Sequence, residues 1–201
     1  LDRLDVRAGD RILEIGCGWG GFAELAIRER GCHVTGISLS KEQLAYARDR
    51  IERAGLADHA TFEYRDYRDV QGTFDQIVSI EMYEAVGEKY WPSYFGAIAR
   101  LLAPGRGGAV VQAITIDDRL FDRYRVGTDF IQQYVFPGGM LASPARFAAE
   151  AQAARLAVTS DLAFGSDYAE TLRRWRHDFM RVLPGVIQRF DERFARMWEF
   201  Y

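Results

Sequence analysis

Few features in this 201-residue sequence would place it outside a reducing compartment or inside a bilayer. It has only two cysteines, Cys17 and Cys32. That is too few for a disulfide framework, so a reducing cytoplasm is the default. No apolar run approaches the roughly 18–20 residues that a membrane-spanning helix needs, and no secretory signal is recognisable. The three histidines, His33, His59 and His177, are scattered without ligand spacing, and no metal is expected. Charge of one sign is lacking as well. With 26 Lys and Arg against 29 Asp and Glu, the net charge of −3 gives no global attraction to nucleic acid or anionic lipid. Internal repeats and low-complexity tracts are absent.

What is present is an ordinary globular composition, 48% hydrophobic and 27% charged, with a length that suits one domain. Such a domain buries a sizeable core without staples. Strands are expected at Arg11–Ile15, Cys32–Ile37, Ala60–Tyr64, Phe74–Ile80, Ala109–Ile116 and, sixth, Leu156–Phe164. Between them the periodicity predicts helices over Gly20–Arg30, from an N-cap at Ser40 to Ala54, over Glu88–Leu102, and over Ser143–Ala154. Gln43, three residues after Ser40, suggests a capping box. Asp117–Gln133 reads as a helical insertion after the fifth strand, Pro137-Gly138-Gly139 as a turn, and Tyr168–Tyr201 as two helices broken at Pro184-Gly185. Alternation at this pitch argues for an α/β domain, a parallel sheet with helices on both faces. Ligands of such sheets bind beyond the carboxyl ends of the strands. The sequence opens on Leu1, and Arg193–Tyr201 reads as a helix without a final cap. The expectation is a piece of a longer protein.

The densest chemical signal is Leu13-Glu14-Ile15-Gly16-Cys17-Gly18-Trp19-Gly20-Gly21, glycines between a strand and a helix. Glycine allows positive φ and lets a ligand approach the backbone, and the helix start offers free N–H groups and a positive dipole end. A strand-helix turn that needs glycine for sterics alone is the plain alternative. Glu14 shifts the balance. A carboxylate two residues before the first glycine suits an ammonium and repels a pyrophosphate. A thiol nucleophile at Cys17 is not expected. Trp19 reads as a helix-start packing residue and a wall of the pocket.

The E-x-G-x-G-x-G pattern resembles motif I of class I methyltransferases, which bind S-adenosylmethionine. Most of them carry a carboxylate after the second strand, whereas this chain has Gly36-Ile37-Ser38-Leu39-Ser40. Ser38 and Gln43 could supply polar groups there, or serve only as cap and helix surface. Further motifs occur in register: Arg65-Asp66-Tyr67-Arg68-Asp69, Met82-Tyr83-Glu84-Ala85-Val86-Gly87, Tyr134-x-Phe136-Pro137-Gly138-Gly139 and Phe164-Gly165-x-Asp167-Tyr168. With the glycine turn and Gly36-Ile37-Ser38-Leu39-Ser40-x-x-Gln43, they resemble the cyclopropane-fatty-acyl-phospholipid synthase family, including the mycolic acid enzymes. The resemblance covers essentially the whole chain.

That resemblance implies a Rossmann-like class I methyltransferase sheet, one catalytic domain over 1–201. Segments 117–140 and 165–201 are its helical, substrate-side elements. It implies that Glu14, Gly16, Cys17, Gly18, Trp19, Gly20, Gly21, Ser38, Leu39, Ser40, Gln43, Asp66, Tyr67 and Ile80 border the cofactor, with Asp66 and Tyr67 near the adenine. It implies methyl transfer to a cis double bond of a phospholipid acyl chain, a carbocation, and ring closure on loss of a proton to a bound bicarbonate. The bicarbonate site would be Glu84, Gln112, Ile114 and Tyr168. Gln112 stands where the family has His, and Ala85 where many members have a second His. Gln can donate a hydrogen bond but cannot carry charge, and Glu84 needs a shared or raised proton to bond an anion. Taken without the resemblance, Glu84 could cap the helix near Glu88 and Tyr168 could pack on the core. Gln112, an amide inside a strand, needs partners wherever it points. Glu81, where the family often has Gly, receives no role.

The lipid substrate implies a cytoplasmic protein, peripheral on the inner face of a membrane, and a homodimer is among the expected assemblies. Arg119, Arg123 and Arg125 with Leu120, Phe121 and Tyr124, or Arg173, Arg174, Arg176 and Arg181 around Trp175 and Phe179, could face that membrane. Each group read alone is a solvated helix face. Family members also carry a helical segment before the stretch that begins at Leu1, and a Cys segment and final strand after Tyr201. The expectation is therefore six parallel-type strands, no antiparallel seventh, and weak or no activity for this stretch alone. Two competing readings stay open: methylation to a branched lipid or of another small molecule, and a cofactor-binding module without catalysis.

Overall fold

The computed structural model describes residues 1–201. Its centre is set by strands that are apolar on both faces, as a parallel sheet covered by helices requires. Strand β1 (Arg11–Ile15) places Leu13 and Ile15 on one face and Ile12 with Glu14 on the other. β1 pairs in parallel with β2 (His33–Ser38) and with β4 (Gln76–Ile80). β3 (Ala60–Tyr64) extends the sheet beyond β2, and β5 (Gly108–Gln112) beyond β4. The order is β3-β2-β1-β4-β5. Strand order reverses between β1 and β4, and the crevice outside their carboxyl ends is where such a sheet binds ligands.

Helices α1 (Gly21–Arg30) and α2 (Lys41–Arg53) cover one face. Ala23, Ala26 and Ile27 of α1, with Leu44, Ala47 and Ile51 of α2, pack on Ile12, Val34, Phe62 and Val78. Helix α3 (Trp91–Leu101) covers the other. Its Trp91, Tyr94, Phe95, Ile98 and Leu101 recur at helical spacing and bury against Leu13, Ile15 and Ile77. Each such large side chain contributes about 1.5–3 kcal/mol by leaving water. After β5 come α4 (Asp118–Arg125), a π-helical turn at Ile131–Val135, and α5 (Pro144–Ala153). The long α6 (Gly165–Arg189) and then α7 (Glu192–Phe200) complete the chain. None of these helices is long and apolar enough to cross a membrane.

Three sequence expectations are corrected. The sixth strand at Leu156–Phe164 does not form, and the sheet has five strands. Apolar alternation alone cannot make a strand. The segment has no neighbour offering a hydrogen-bond ladder, and its Val158 and Leu162 lie in solvent. The break at Pro184-Gly185 does not occur either. α6 runs through Pro184, and the chain turns at Phe190. A proline inside a helix strips the carbonyl four residues back of its partner, at a cost of about 3 kcal/mol. Here that carbonyl belongs to Met180, on an exposed helix that solvent can reach. Finally, the capping box is half built. Ser40 Oγ accepts from the Gln43 amide at 3.2 Å, but the Gln43 side chain accepts from Ser38 Oγ instead of reaching back.

Gly36 fixes how closely the two ends of this architecture meet. A β-carbon there would lie 2.8 Å from Cys17 Cβ and 2.8 Å from the Phe62 ring. Overpacking of this kind typically costs about 1–3 kcal/mol. Gly36→Ala is therefore expected to lower stability by that amount in urea unfolding, and an unchanged midpoint would refute the packing described.

Candidate functional site

The glycine turn follows β1 because the chain must reverse there to start α1. Gly16, Gly18 and Gly20 all have positive φ. Gly16 and Cys17 donate their amides to Ile37 O at 3.0 and 2.9 Å, which stitches the turn to the end of β2. Gly16 also makes room for a neighbour. A β-carbon on it would lie 2.9 Å from Met82 Cγ, so the turn touches the segment that follows β4. Gly18 is different: nothing lies within 4 Å of its would-be β-carbon. That open space faces backbone a ligand can approach.

Glu14 lies under this turn. It is 3% exposed, and its Oε2 has no hydrogen-bond partner. Burial pushes its carboxyl up to about 8. A buried carboxylate without a partner is a group waiting for a cation. Glu14 and the open side of Gly18 together fit the ammonium-bearing end of S-adenosylmethionine. Cys17 is buried and its thiol is pushed up to about 12, chiefly by burial with Glu14 adding to it, so it is no nucleophile.

The other cofactor candidates gather along the same rim. Ser38 Oγ accepts from the Ser40 amide at 3.1 Å and donates to Gln43 Oε1 at 3.0 Å, which leaves the side-chain nitrogen Nε2 of Gln43 without a protein partner. Leu39 and Trp19 are exposed, with Trp19 edge-on to Tyr46 of α2. Gly20 and Gly21 start α1. Ile80 ends β4, half in solvent. Asp66 is held by Arg68 through a bidentate pair at 2.8 and 2.7 Å, a bond that outweighs the opposing burial and lowers its pKa. Tyr67 leans edge-on against Tyr94. A carboxylate engaged in this way leaves the Asp66 backbone and the Tyr67 ring as the surfaces open to a planar base.

Beyond β4 lies an apolar cavity of about 560 Å³. Eleven of its 18 lining residues are hydrophobic, and its walls come from 129–141, α6 and Tyr201. Glu81, Glu84, Ile114 and Tyr168 are among the residues that line it. Glu84 sits in a short turn rather than capping a helix. Its Oε1 accepts the Ile114 amide, its backbone oxygen accepts the Met140 amide at 2.8 Å, and its Oε2 is buried without a partner. Burial raises its pKa, and the nearby charge of Glu81 adds to that.

Glu81, to which the sequence assigned nothing, proves to be the hub. Its Oε1 accepts from Gln112 Nε2 at 2.9 Å, and its Oε2 accepts from the Tyr168 hydroxyl at 3.4 Å. Burial, with the charge of Glu81 next, raises the Tyr168 pKa. Gln112 does not line the cavity and reaches it only through Glu81. The three donors that the resemblance gives to bicarbonate, at Gln112, Ile114 and Tyr168, are thus all engaged by protein carboxylates.

The two basic surfaces are largely neutralised. Arg173 and Arg174 pair with Glu170, Arg176 with Glu199, Arg181 with Asp178, Arg119 with Asp117, and Arg125 with Glu88. Alongside these pairs α6 exposes the apolar side chains of Trp175, Val182 and Ile187.

Residues 1–201 match the family model described as mycolic acid cyclopropane synthetase. The chain is 43% identical over 205 residues to tuberculostearic acid methyltransferase UfaA1 of Mycobacterium tuberculosis, covering 100% of this chain and 47% of that protein. It is 35% identical over 201 residues to cyclopropane-fatty-acyl-phospholipid synthase of Escherichia coli K12, covering 100% and 50%. It therefore spans about half the length of these curated relatives. The crystal structure of mycolic acid cyclopropane synthase CmaA1 complexed with SAH and CTAB superposes with a TM-score of 0.89 at 24% identity, over 100% of this chain and 73% of that one. The cyclopropane synthase MmaA2 of Mycobacterium tuberculosis does so with 0.89 at 23%, over 98% and 72%. At those identities the likeness is one of fold, the α/β class I methyltransferase fold.

Glu14 yields a pH prediction. Its folded value of about 8 exceeds the ordinary 4.5. Below 4.5 the carboxyl is protonated folded or unfolded, and burial costs it little. As pH rises to about 8 the unfolded chain gives up the proton while the folded chain holds it, so stability falls, by on the order of a few kcal/mol. Relative to Glu14→Gln, the ligand-free protein is expected to lose stability across that window and to run parallel above it. Parallel curves throughout, measured by urea unfolding at stepped pH, would refute the assignment.

Proposed function

The chain belongs to the mycolic acid cyclopropane synthetase family, and on that premise we propose that in the whole protein it methylates the cis double bond of an unsaturated phospholipid acyl chain. The observation that carries this reading is the apolar cavity of about 560 Å³ with two carboxylates and a tyrosine at one end, set beside the glycine turn. An acyl chain needs apolar walls. Its alkene is a weak nucleophile and reacts only if held against the methyl donor with water excluded.

When bound, S-adenosylmethionine supplies an electrophilic methyl on a sulfonium sulfur. Glu14 would hold the ammonium of its methionine part, and the open backbone at Gly18 would let that part approach. Ser38 and Gln43 would offer polar groups to the ribose, Leu39 and Ile80 would border the cofactor, and Asp66 with Tyr67 would border the adenine. In the cavity, Tyr124, Phe136, Tyr168 and Tyr201 surround the position where positive charge develops on the acyl chain. Aromatic faces stabilise such a cation. Proton loss from the added methyl then closes a cyclopropane.

A second reading, a methyl-branched product, is favoured by the 43%-identical relative, which is named a methyltransferase of tuberculostearic acid. The two products differ after the same carbocation. Mass spectrometry of lipids from cells expressing the full-length protein is expected to show a gain of one CH2 with the alkene lost, and Gly18→Val is expected to abolish it. A retained alkene favours the branched or methylene product, and unchanged lipids would sink both.

The substrate's location also demands membrane contact without spanning. The exposed apolar side chains of α6, led by Trp175, Val182 and Ile187, suit insertion at a lipid surface. Trp175→Ala with Val182→Asp is expected to reduce co-sedimentation of the full-length protein with anionic vesicles several-fold while leaving S-adenosylhomocysteine affinity unchanged. Undiminished co-sedimentation would exclude α6 as the contact.

A further inference from the structure

We propose that the side chain of Glu81 is itself the base that removes the proton from the carbocation, in the place the resemblance gives to a bound bicarbonate. The inference rests on the methylation reading and deepens it. It stands first on geometry. Glu81 projects from the end of β4 into the cavity, where Gln112 at the end of β5 and Tyr168 in the first turn of α6 each donate to one of its oxygens. Two donors on two oxygens are the bonding pattern of a carboxylate rather than a carboxylic acid. These donors fix the orientation of the group and occupy lone pairs that could otherwise attack the methyl donor.

The same bonds disfavour an exogenous anion. Gln112 and Tyr168 are committed to Glu81, and the Ile114 amide to Glu84. A bicarbonate would find only the second N–H of the Gln112 amide free among them and would sit beside two carboxyl groups. Like charges that close raise one another's proton affinity or exclude each other. Glu84, buried and pushed upward, is the member of the pair suited to keep its proton, which leaves Glu81 as the acceptor.

The backbone supports a dedicated role. Glu81 has φ 51, one of two non-glycine residues in the left-handed region. That conformation costs on the order of 1–3 kcal/mol and persists where surrounding structure enforces it. Here the Gln112 and Tyr168 bonds and the amide of Glu81 itself, donating to Gln112 O at 2.9 Å, enforce it.

The step balances within the site. The alkene π pair forms a bond to the methyl carbon as that carbon's bond to sulfur breaks, and the sulfur keeps the pair. The neighbouring acyl carbon is left cationic. Glu81 takes a proton from the new methyl, and the freed C–H pair closes the third ring bond. Removal of another adjacent proton instead would leave an alkene. Glu81 then releases its proton to water, and no further reactant is required.

The test uses the full-length protein and a methyl-transfer assay on vesicles of unsaturated phosphatidylethanolamine, in buffer stripped of carbon dioxide. The wild-type rate is expected to be the same with and without added bicarbonate. Glu81→Gln is expected to lose about 10²- to 10⁴-fold in kcat while keeping S-adenosylhomocysteine affinity by calorimetry. Glu81→Gly relaxes the left-handed backbone, folds without strain, and is expected to lose the same factor, with added formate or bicarbonate restoring part of the rate. A wild-type rate that rises with bicarbonate, or a Glu81→Gln enzyme near wild-type rate, would overturn the proposal while leaving the methylation reading standing. A wild type that transfers no methyl to unsaturated lipid would overturn both.

Discussion

One bond carries the substrate side of this molecule: the carboxyl of Glu84 on the amide of Ile114. It joins the loop after β4 to the loop after β5, two strands that diverge once their ladder ends at Ile80 and Gln112. The backbone oxygen of Glu84 holds Met140, and Thr115 bridges to Ala142, so the segment 136–142 is drawn back over the same point. Without that tie, the cavity would lose part of its lining. The cost is a buried, half-partnered carboxyl, which raises its own proton affinity.

The cofactor side depends on an absence of side chain. Gly16 lets Met82 close on the turn, and Gly36 lets Cys17 and Phe62 fill the space beside Glu14. The glycine turn and the cavity lining are therefore one packed body, not two sites sharing a sheet. Met82 is the residue after Glu81, so the position of the proposed base is set in part by how the turn packs.

Much of this was legible in the sequence. β1 and β3 fall on the residues their apolar patterns mark, and the Ser40 cap is used as read. β5 stops at Gln112, short of the apolar run to Ile116, because the Ile114 amide leaves the ladder for Glu84. The sixth strand failed because pairing is a property of two segments, and periodicity describes one. Glu81 was illegible for the same reason. Its partners lie 31 and 87 residues away, and nothing local distinguishes it from any strand-end carboxylate. Gln112 was noticed as an amide needing partners, but only the fold shows that its partner is a neighbouring side chain.

Glu14 gives the cofactor turn a property beyond recognition. Its carboxyl holds a proton up to about pH 8 because it is buried. An ammonium entering that space displaces the proton into solution, so occupancy of the turn is an exchange of one positive charge for another. Affinity for such a ligand then weakens by up to tenfold for each pH unit below about 8 and levels off above it. Local acidity thereby becomes a competitor for the turn, acting on loading before any chemistry in the cavity begins.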